Sequence, residues 1–218
     1  MIRKMNENFV FIDNIYRSRL TLLDILDSRG YSVDKYRKFS PTEATAASAT
    51  LSSLNFKASK KDDATKVCDV RYGNFFTKQK LDTLFDDISD DDTENTEVIV
   101  MIPGHIVDAH HVVSLKQYMK SKENGERRKL RVSFFSIELL VINPLNHYLV
   151  PKHEIVPQDY HKTLMDSMYI TSKSKFPEIK FHVDPIARII GAVPGDIIKI
   201  TRPSSSAGEA ILYRVCTP

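Results

Sequence analysis

Residues Glu97-Val-Ile-Val-Met-Ile102 set five apolar side chains in a row. A strand with one face in water alternates apolar and polar residues. An unbroken run of this length therefore reads as a strand buried on both faces, the kind found in sheets covered by helices on either side. His111-Val-Val-Ser-Leu115 and Val132-Ser-Phe-Phe135 read as further strands. Upstream, Ile12, Ile15, Tyr16, Leu22, Leu23 and Leu26 recur at helical spacing, which predicts an amphipathic helix over 12–29 with Gly30 as its C-terminal cap. The stretch 40–66 is small, polar and weakly patterned, and reads as a loop or insertion with room for one short helix. A mixed α/β domain over residues 1–142 follows.

Asn143-Pro144 breaks the chain, because a residue before proline leaves the helical region. A second domain is expected over 143–218, since 218 residues suffice for one large domain or two small ones. His147–Val150 reads as a short strand, and Gln158–Tyr169 as a helix with Leu164, Met165 and Met168 inward. Asp184-Pro185 is a helix start, the carboxylate accepting from orphan amides and the proline fitting the first turn. Ile186, Ile189 and Ile190 form the buried face of that helix, and Gly191 ends it. Asp196–Arg202 and Glu209–Cys216 are predicted to pair as an antiparallel hairpin around Ser204-Ser-Ser-Ala-Gly208.

Several chemistries lack their signals. The chain has only seven glycines, with no GxxxxGK loop, no GxGxxG and no GxSxG. Cys68 and Cys216 form no CxxC pair, so neither a disulfide framework nor a zinc site is expected, and both read as buried thiols in a reducing compartment. His110 and His111, as neighbours on a strand, would face opposite ways, and His147 and His153 stand apart from any HExxH or cysteine cluster. No metal or cofactor is expected. Glu178-Ile-Lys180 has the ExK pattern of a nuclease half-site but sits in an expected loop. The densest apolar run, Phe134–Val141, is too short to span a bilayer, and the N-terminus lacks the apolar core of a secretory signal. A soluble intracellular protein with no recognisable catalytic residue is the expectation.

Charge is unevenly spread. The net +3 is too small to argue for nucleic acid, but Asp82–Glu97 holds eight acids and no base, whereas Lys116–Arg131 holds seven bases and two acids. Lys116, Lys120, Lys122, Arg127, Arg128, Lys129 and Arg131 are the candidate DNA-proximal residues, able to neutralise phosphates without reading sequence. The alternative is a solvated helix or hairpin edge. Tyr118 is the one aromatic among them, so no stacking platform for single strands is expected.

The C-terminal third carries a more specific pattern. Leu149-Val-Pro-Lys-His153, Asp184-Pro-Ile-Ala-Arg188, Gly191, Gly195, Asp196-Ile-Ile-Lys-Ile-Thr-Arg202, Ser204, Gly208 and Tyr213-Arg-Val215 together resemble the common fifth subunit of eukaryotic nuclear RNA polymerases, whose C-terminal half matches the small H-type subunit of archaeal RNA polymerase. More weakly, the helix ending in Arg29-Gly-Tyr31 looks like that family's opening helix, and Glu138–Asn143 like its interdomain segment.

The resemblance implies a restriction-endonuclease-like jaw domain without nuclease activity over 1–142. It implies a small two-layer α/β assembly domain over 143–218. It implies docking on the largest polymerase subunit beside other subunits, a place near downstream duplex DNA, and no membrane or small-molecule ligand. His153, Arg188, Arg202, Tyr213 and Arg214 are the candidate subunit-interface residues. The family's Ser-Glu-Thr before the hairpin glycine and Arg-Tyr after it are replaced here by Ser-Ser-Ala and Glu209-Ala210. Residues 40–95 have no family match, a divergence that suits a large DNA virus or a distant protist, hence a nucleus or a virion or viral factory. The competing readings are a free-standing transcription adaptor and a metal-dependent nuclease using the acids of 82–97.

Overall fold

In a computed structural model, which describes residues 2–89, 92–121, 126, 127 and 129–218, the chain divides into two units, Met1–Asn143 and Pro144–Pro218. The first opens with helix α1 (Ile2–Ser28), ten residues longer at its start than the apolar stripe suggests. No proline or glycine interrupts 2–11, so the helix continues beyond the face it buries. Ile15, Leu22, Leu23, Ile25 and Leu26 are buried. Gly30, at φ 84°, ends it in a Schellman turn: Tyr31 N–H donates to Leu26 O at 3.0 Å and Gly30 N–H to Asp27 O at 2.9 Å.

The segment expected as a loop contains real structure. Helix α2 (Pro41–Ala47) starts at a capping box in which Glu43 N–H donates to Ser40 Oγ at 3.3 Å and Ser40 N–H to Glu43 Oε2 at 2.8 Å. Strand β1 (Phe56–Ser59) follows, with Phe56 and Ala58 buried. Then come β2 (Val67–Tyr72), α3 (Lys78–Thr83), β3 (Thr96–Ile102), α4 (Asp108–Met119) and β4 (Arg131–Ser136). The sheet order is β1-β2-β3-β4, with β1 antiparallel to β2 and the other pairs parallel. Every residue from Glu97 to Ile102 is buried.

The expected strand at His111–Leu115 is instead the middle of α4. Adjacent parallel strands need a crossover, and α4 supplies the one from β3 to β4. Ser114 Oγ donates to Val132 O at 2.5 Å beneath it. His110 is therefore a first-turn helix residue: its Nδ1 accepts from Val107 N–H at 3.1 Å, and its Nε2–H donates to Phe75 O at 2.9 Å. Only one neutral tautomer satisfies both bonds.

The second unit contains β5 (Lys152–Ile155), α5 (Tyr160–Ser167), β6 (Glu178–Lys180), α6 (Pro185–Ile190), β7 (Ile197–Ser204) and β8 (Gly208–Thr217). Its sheet runs β5-β7-β8-β6, antiparallel except for the β8–β6 pair. The hairpin ladder extends from Ile197↔Val215 to Ser204↔Gly208. On one face Phe176, Ile197 and Val215 are buried, with Val156, Leu164, Met165, Ile170 and Tyr213 packed around them. Met168, expected inward, is exposed, because α5 stops one residue earlier.

His147–Val150 is a pair of tight turns and not a strand, His147 N–H donating to Pro144 O and Val150 N–H to His147 O. Glu178–Lys180 is an edge strand and not a loop, defined by its partner β8. Asp184 Oδ1 accepts from Ile186 N–H at 2.8 Å and Ala187 N–H at 3.0 Å, and Gly191 adopts φ 84°. Asp196 Oδ2 holds Val193 N–H at 2.9 Å. Both cysteines are buried free thiols. Among the described residues no helix is long and apolar enough to cross a membrane.

Candidate partner and nucleic-acid surfaces

The fold sorts the basic stretch of 116–131 into three environments. Lys116 and Lys120 stand one turn apart on the outer side of α4 and are exposed, in line with Val112. Arg127 is exposed beside the Ser121–Arg127 bridge, its Nη1 3.9 Å from Met119 Sδ. Lys129, at φ 53°, pairs with Glu94 at 3.1 Å on the surface. Lys122 and Arg128 lie outside the described residues.

Arg131 points the other way. It forms an ion pair with Glu97 Oε1 at 2.9 Å, across the β3–β4 register. Glu97 Oε2 accepts from Tyr31 O–H at 2.9 Å and from Arg29 Nη2. Burial pushes the Glu97 carboxyl up, but Arg131 and Arg29 more than offset this and hold it below the usual carboxylate range. Burial and then the neighbouring Arg29 lower Arg131. Arg131 is thus engaged within the fold, unlike the exposed Lys116, Lys120 and Arg127. Its partner lies 34 residues upstream, where sequence spacing gives no hint of it.

The acids fare similarly. Arg71 sits between two carboxylates, Nη2 at 2.7 Å from Asp69 Oδ2 and at 2.8 Å from Asp87 Oδ2, while Nη1 donates to Leu84 O. Asp87, one of the acids of 82–97, is thus engaged by a guanidinium. Among the described residues no three His, Cys, Asp or Glu side chains are disposed around one point. Glu178 of the ExK pattern pairs with Lys180 at 3.1 Å on the exposed edge strand.

In the second unit, register places His153, Arg202 and Arg214 on one face of the sheet, in line with Ile200, Ala210 and Ile198 respectively. Arg202 is exposed. His153 Nδ1 lies 2.7 Å from Pro151 O, and Arg214 Nη1 donates to Glu178 O at 2.9 Å. Tyr213 is on the opposite face, edge-on to Phe176 with centroids 6.4 Å apart, and lines a cavity of about 490 Å³ with Glu154, Val156 and Leu164. Its main role is packing. Arg188 lies on α6, where burial pushes its pKa down to about 10 and nearby Asp184 works against the shift. The five interface candidates therefore do not form one patch.

Sequence reasoning missed the exposed apolar residues. Tyr148 is 89% and Leu149 69% exposed immediately before β5, and Tyr169 projects at the end of α5. The available signal was apolar residues inside segments that end elements.

With this geometry in hand, likenesses to known proteins become specific. Residues 142–216 match the family model described as RNA polymerase Rpb5, C-terminal domain. The DNA-directed RNA polymerases I, II, and III subunit rpabc1 of Dictyostelium discoideum is 30% identical over 209 residues, covering 94% of this chain and 98% of that protein. The DNA-directed RNA polymerase subunit Rpo5 of Methanosarcina barkeri is 51% identical over 71 residues, 33% of this chain and 88% of that one. Its counterpart in Sulfurisphaera tokodaii is 45% identical over 73 residues, 34% and 84% respectively. The class so defined is the accessory subunit of multi-subunit DNA-directed RNA polymerases. Within that class the chain belongs to the Rpb5 family, the short archaeal members corresponding to its C-terminal unit.

Proposed function

We propose that the chain serves a multi-subunit DNA-directed RNA polymerase as a subunit with no chemistry of its own. Residues 143–218 act as the assembly domain that docks on the largest subunit, and residues 1–142 as a jaw beside downstream duplex DNA. The observation that carries this reading is the likeness to a polymerase subunit over 94% of the chain, which spans both units. Lys116, Lys120 and Arg127 are the exposed cations suited to backbone phosphates. The place of action is the nucleus, or a viral factory if the polymerase is that of a large DNA virus.

The test is purification of the tagged chain from its native source with quantification of the co-purifying chains. Large polymerase subunits at one copy per tagged chain are expected. Substoichiometric recovery would instead identify a free-standing adaptor.

A further inference from the structure

Among the described residues, three other than glycine adopt positive φ: Lys129, Tyr169 and His182. Lys129 is held by the Glu94 ion pair and by its N–H bond to Tyr118 O, and His182 is buried. Tyr169, at φ 55°, is tied by its backbone alone, its side chain being neither paired nor buried. It is the C′ residue of α5 in a complete Schellman turn: Ile170 N–H donates to Met165 O at 2.8 Å and Tyr169 N–H to Asp166 O at 3.1 Å. Ile170, like Leu164 and Met165, packs against the cluster of Phe176, Ile197 and Val215. At the same position of α1 stands Gly30, which meets no steric penalty there.

A tyrosine in the left-handed region destabilises the isolated fold, and this side chain returns nothing to it. The ring is 94% exposed, with no stacking partner or hydrogen bond among the described residues. Backbone strain spent on a fully presented aromatic is a sign of use elsewhere. The ring stands at a groove of about 890 Å³ between α5 and the 194–195 turn. Lys162 and Lys173 line that groove against the single carboxylate of Asp166, and Lys173 Nζ is fixed by Gly195 O at 2.7 Å.

We propose that Tyr169 is an aromatic anchor, inserted into an apolar pocket of another polymerase subunit whose rim carries carboxylates facing Lys162 and Lys173. Large rigid aromatics at the centre of an interface contribute most of its affinity, and the flanking lysines set the sign of the partner. The inference rests on the polymerase-subunit reading above.

Tagged wild type, Tyr169→Gly and Tyr169→Phe are expressed in the native source, and large subunits recovered per tagged chain are counted. The three pure chains are also melted and sized. Tyr169→Gly is expected to melt no lower than wild type, because glycine relieves the strain, yet to recover roughly tenfold less polymerase. Tyr169→Phe retains recovery, and Lys162→Glu reduces it. Undiminished recovery with Tyr169→Gly, or a lower melting temperature for it, overturns the anchor alone. A wild-type dimer that Tyr169→Gly dissociates overturns it in favour of a second copy as occupant. Wild type that recovers no polymerase overturns the subunit reading and the anchor with it.

Discussion

The two units manage charge differently. Residues 1–143 carry surface pairs such as Arg37–Asp24 and Lys129–Glu94 and also bury charge: Arg29, Glu97 and Arg131 meet over the sheet with Tyr31, and Arg71 is held by Asp69 and Asp87. Residues 144–218 keep pairs such as Lys152–Glu154 and Lys180–Glu178 at the rim, and fix their turns with short-range caps from Asp184 and Asp196. A unit held by long-range buried ions depends on single side chains. A unit held by local caps leaves its surface free for partners.

The strongest attack on this contrast is Glu97→Gln. It leaves Arg29 and Arg131 buried beside each other with no counter-charge, and removal of one partner from such a cluster costs about 3–5 kcal/mol. Urea unfolding followed by residue-resolved hydrogen exchange should show residues 1–143 losing protection while 144–218 keep theirs; uniform loss would mean that the units are not independent. Asp184→Ala, by comparison, should cost only about 1 kcal/mol through loss of two cap bonds, read as a modest fall in the urea midpoint of the C-terminal unit.

A smaller, pH-dependent effect belongs to the N-terminal unit. Burial lowers the pKa of His110 below its ordinary 6.5, the bond to Phe75 O opposing this. The unfolded chain therefore takes up the proton first. The stabilisation is complete above pH 6.5 and is lost as pH falls below it toward the depressed folded value. A urea midpoint that drops between pH 7 and pH 5 is expected, with a flatter slope in His110→Ala. The smallest effect on folding should come from Lys116→Glu with Lys120→Glu, which touch solvent. They should leave the melting temperature unchanged and weaken the salt-sensitive hold of the assembled polymerase on downstream duplex, measured as complex lifetime against salt. A salt dependence equal to wild type would count against Lys116 and Lys120 as phosphate contacts.

Legibility in the sequence follows the range of the physics involved. Asp184, Pro185, Gly191 and the Ser204–Gly208 turn were readable because each acts on neighbours within a few residues. The apolar run of β3 was readable because double burial leaves no alternation. Residues His111–Leu115 misled, since Val112 and Val113 favour strands locally, whereas the parallel pairing of β3 and β4 requires a helix there. Strand β6 was invisible because three residues become a strand only through β8. Arg131 looked like part of a basic surface because its partner is remote. Tyr169 gave only a negative sign, a helix ending with no glycine where one belongs.

The place of β8 has a consequence in time. This strand, residues 208–217, lies between β7 and β6 and is, among the described residues, the one sheet neighbour of β6. As the chain is synthesised, β5 and β7 can close a two-stranded ladder early, which is marginal alone in water. Strand β6 must wait with its edge unpaired until residues 208–217 emerge. The sheet of the C-terminal unit therefore closes only when residues 208–217 are available to stand between β7 and β6.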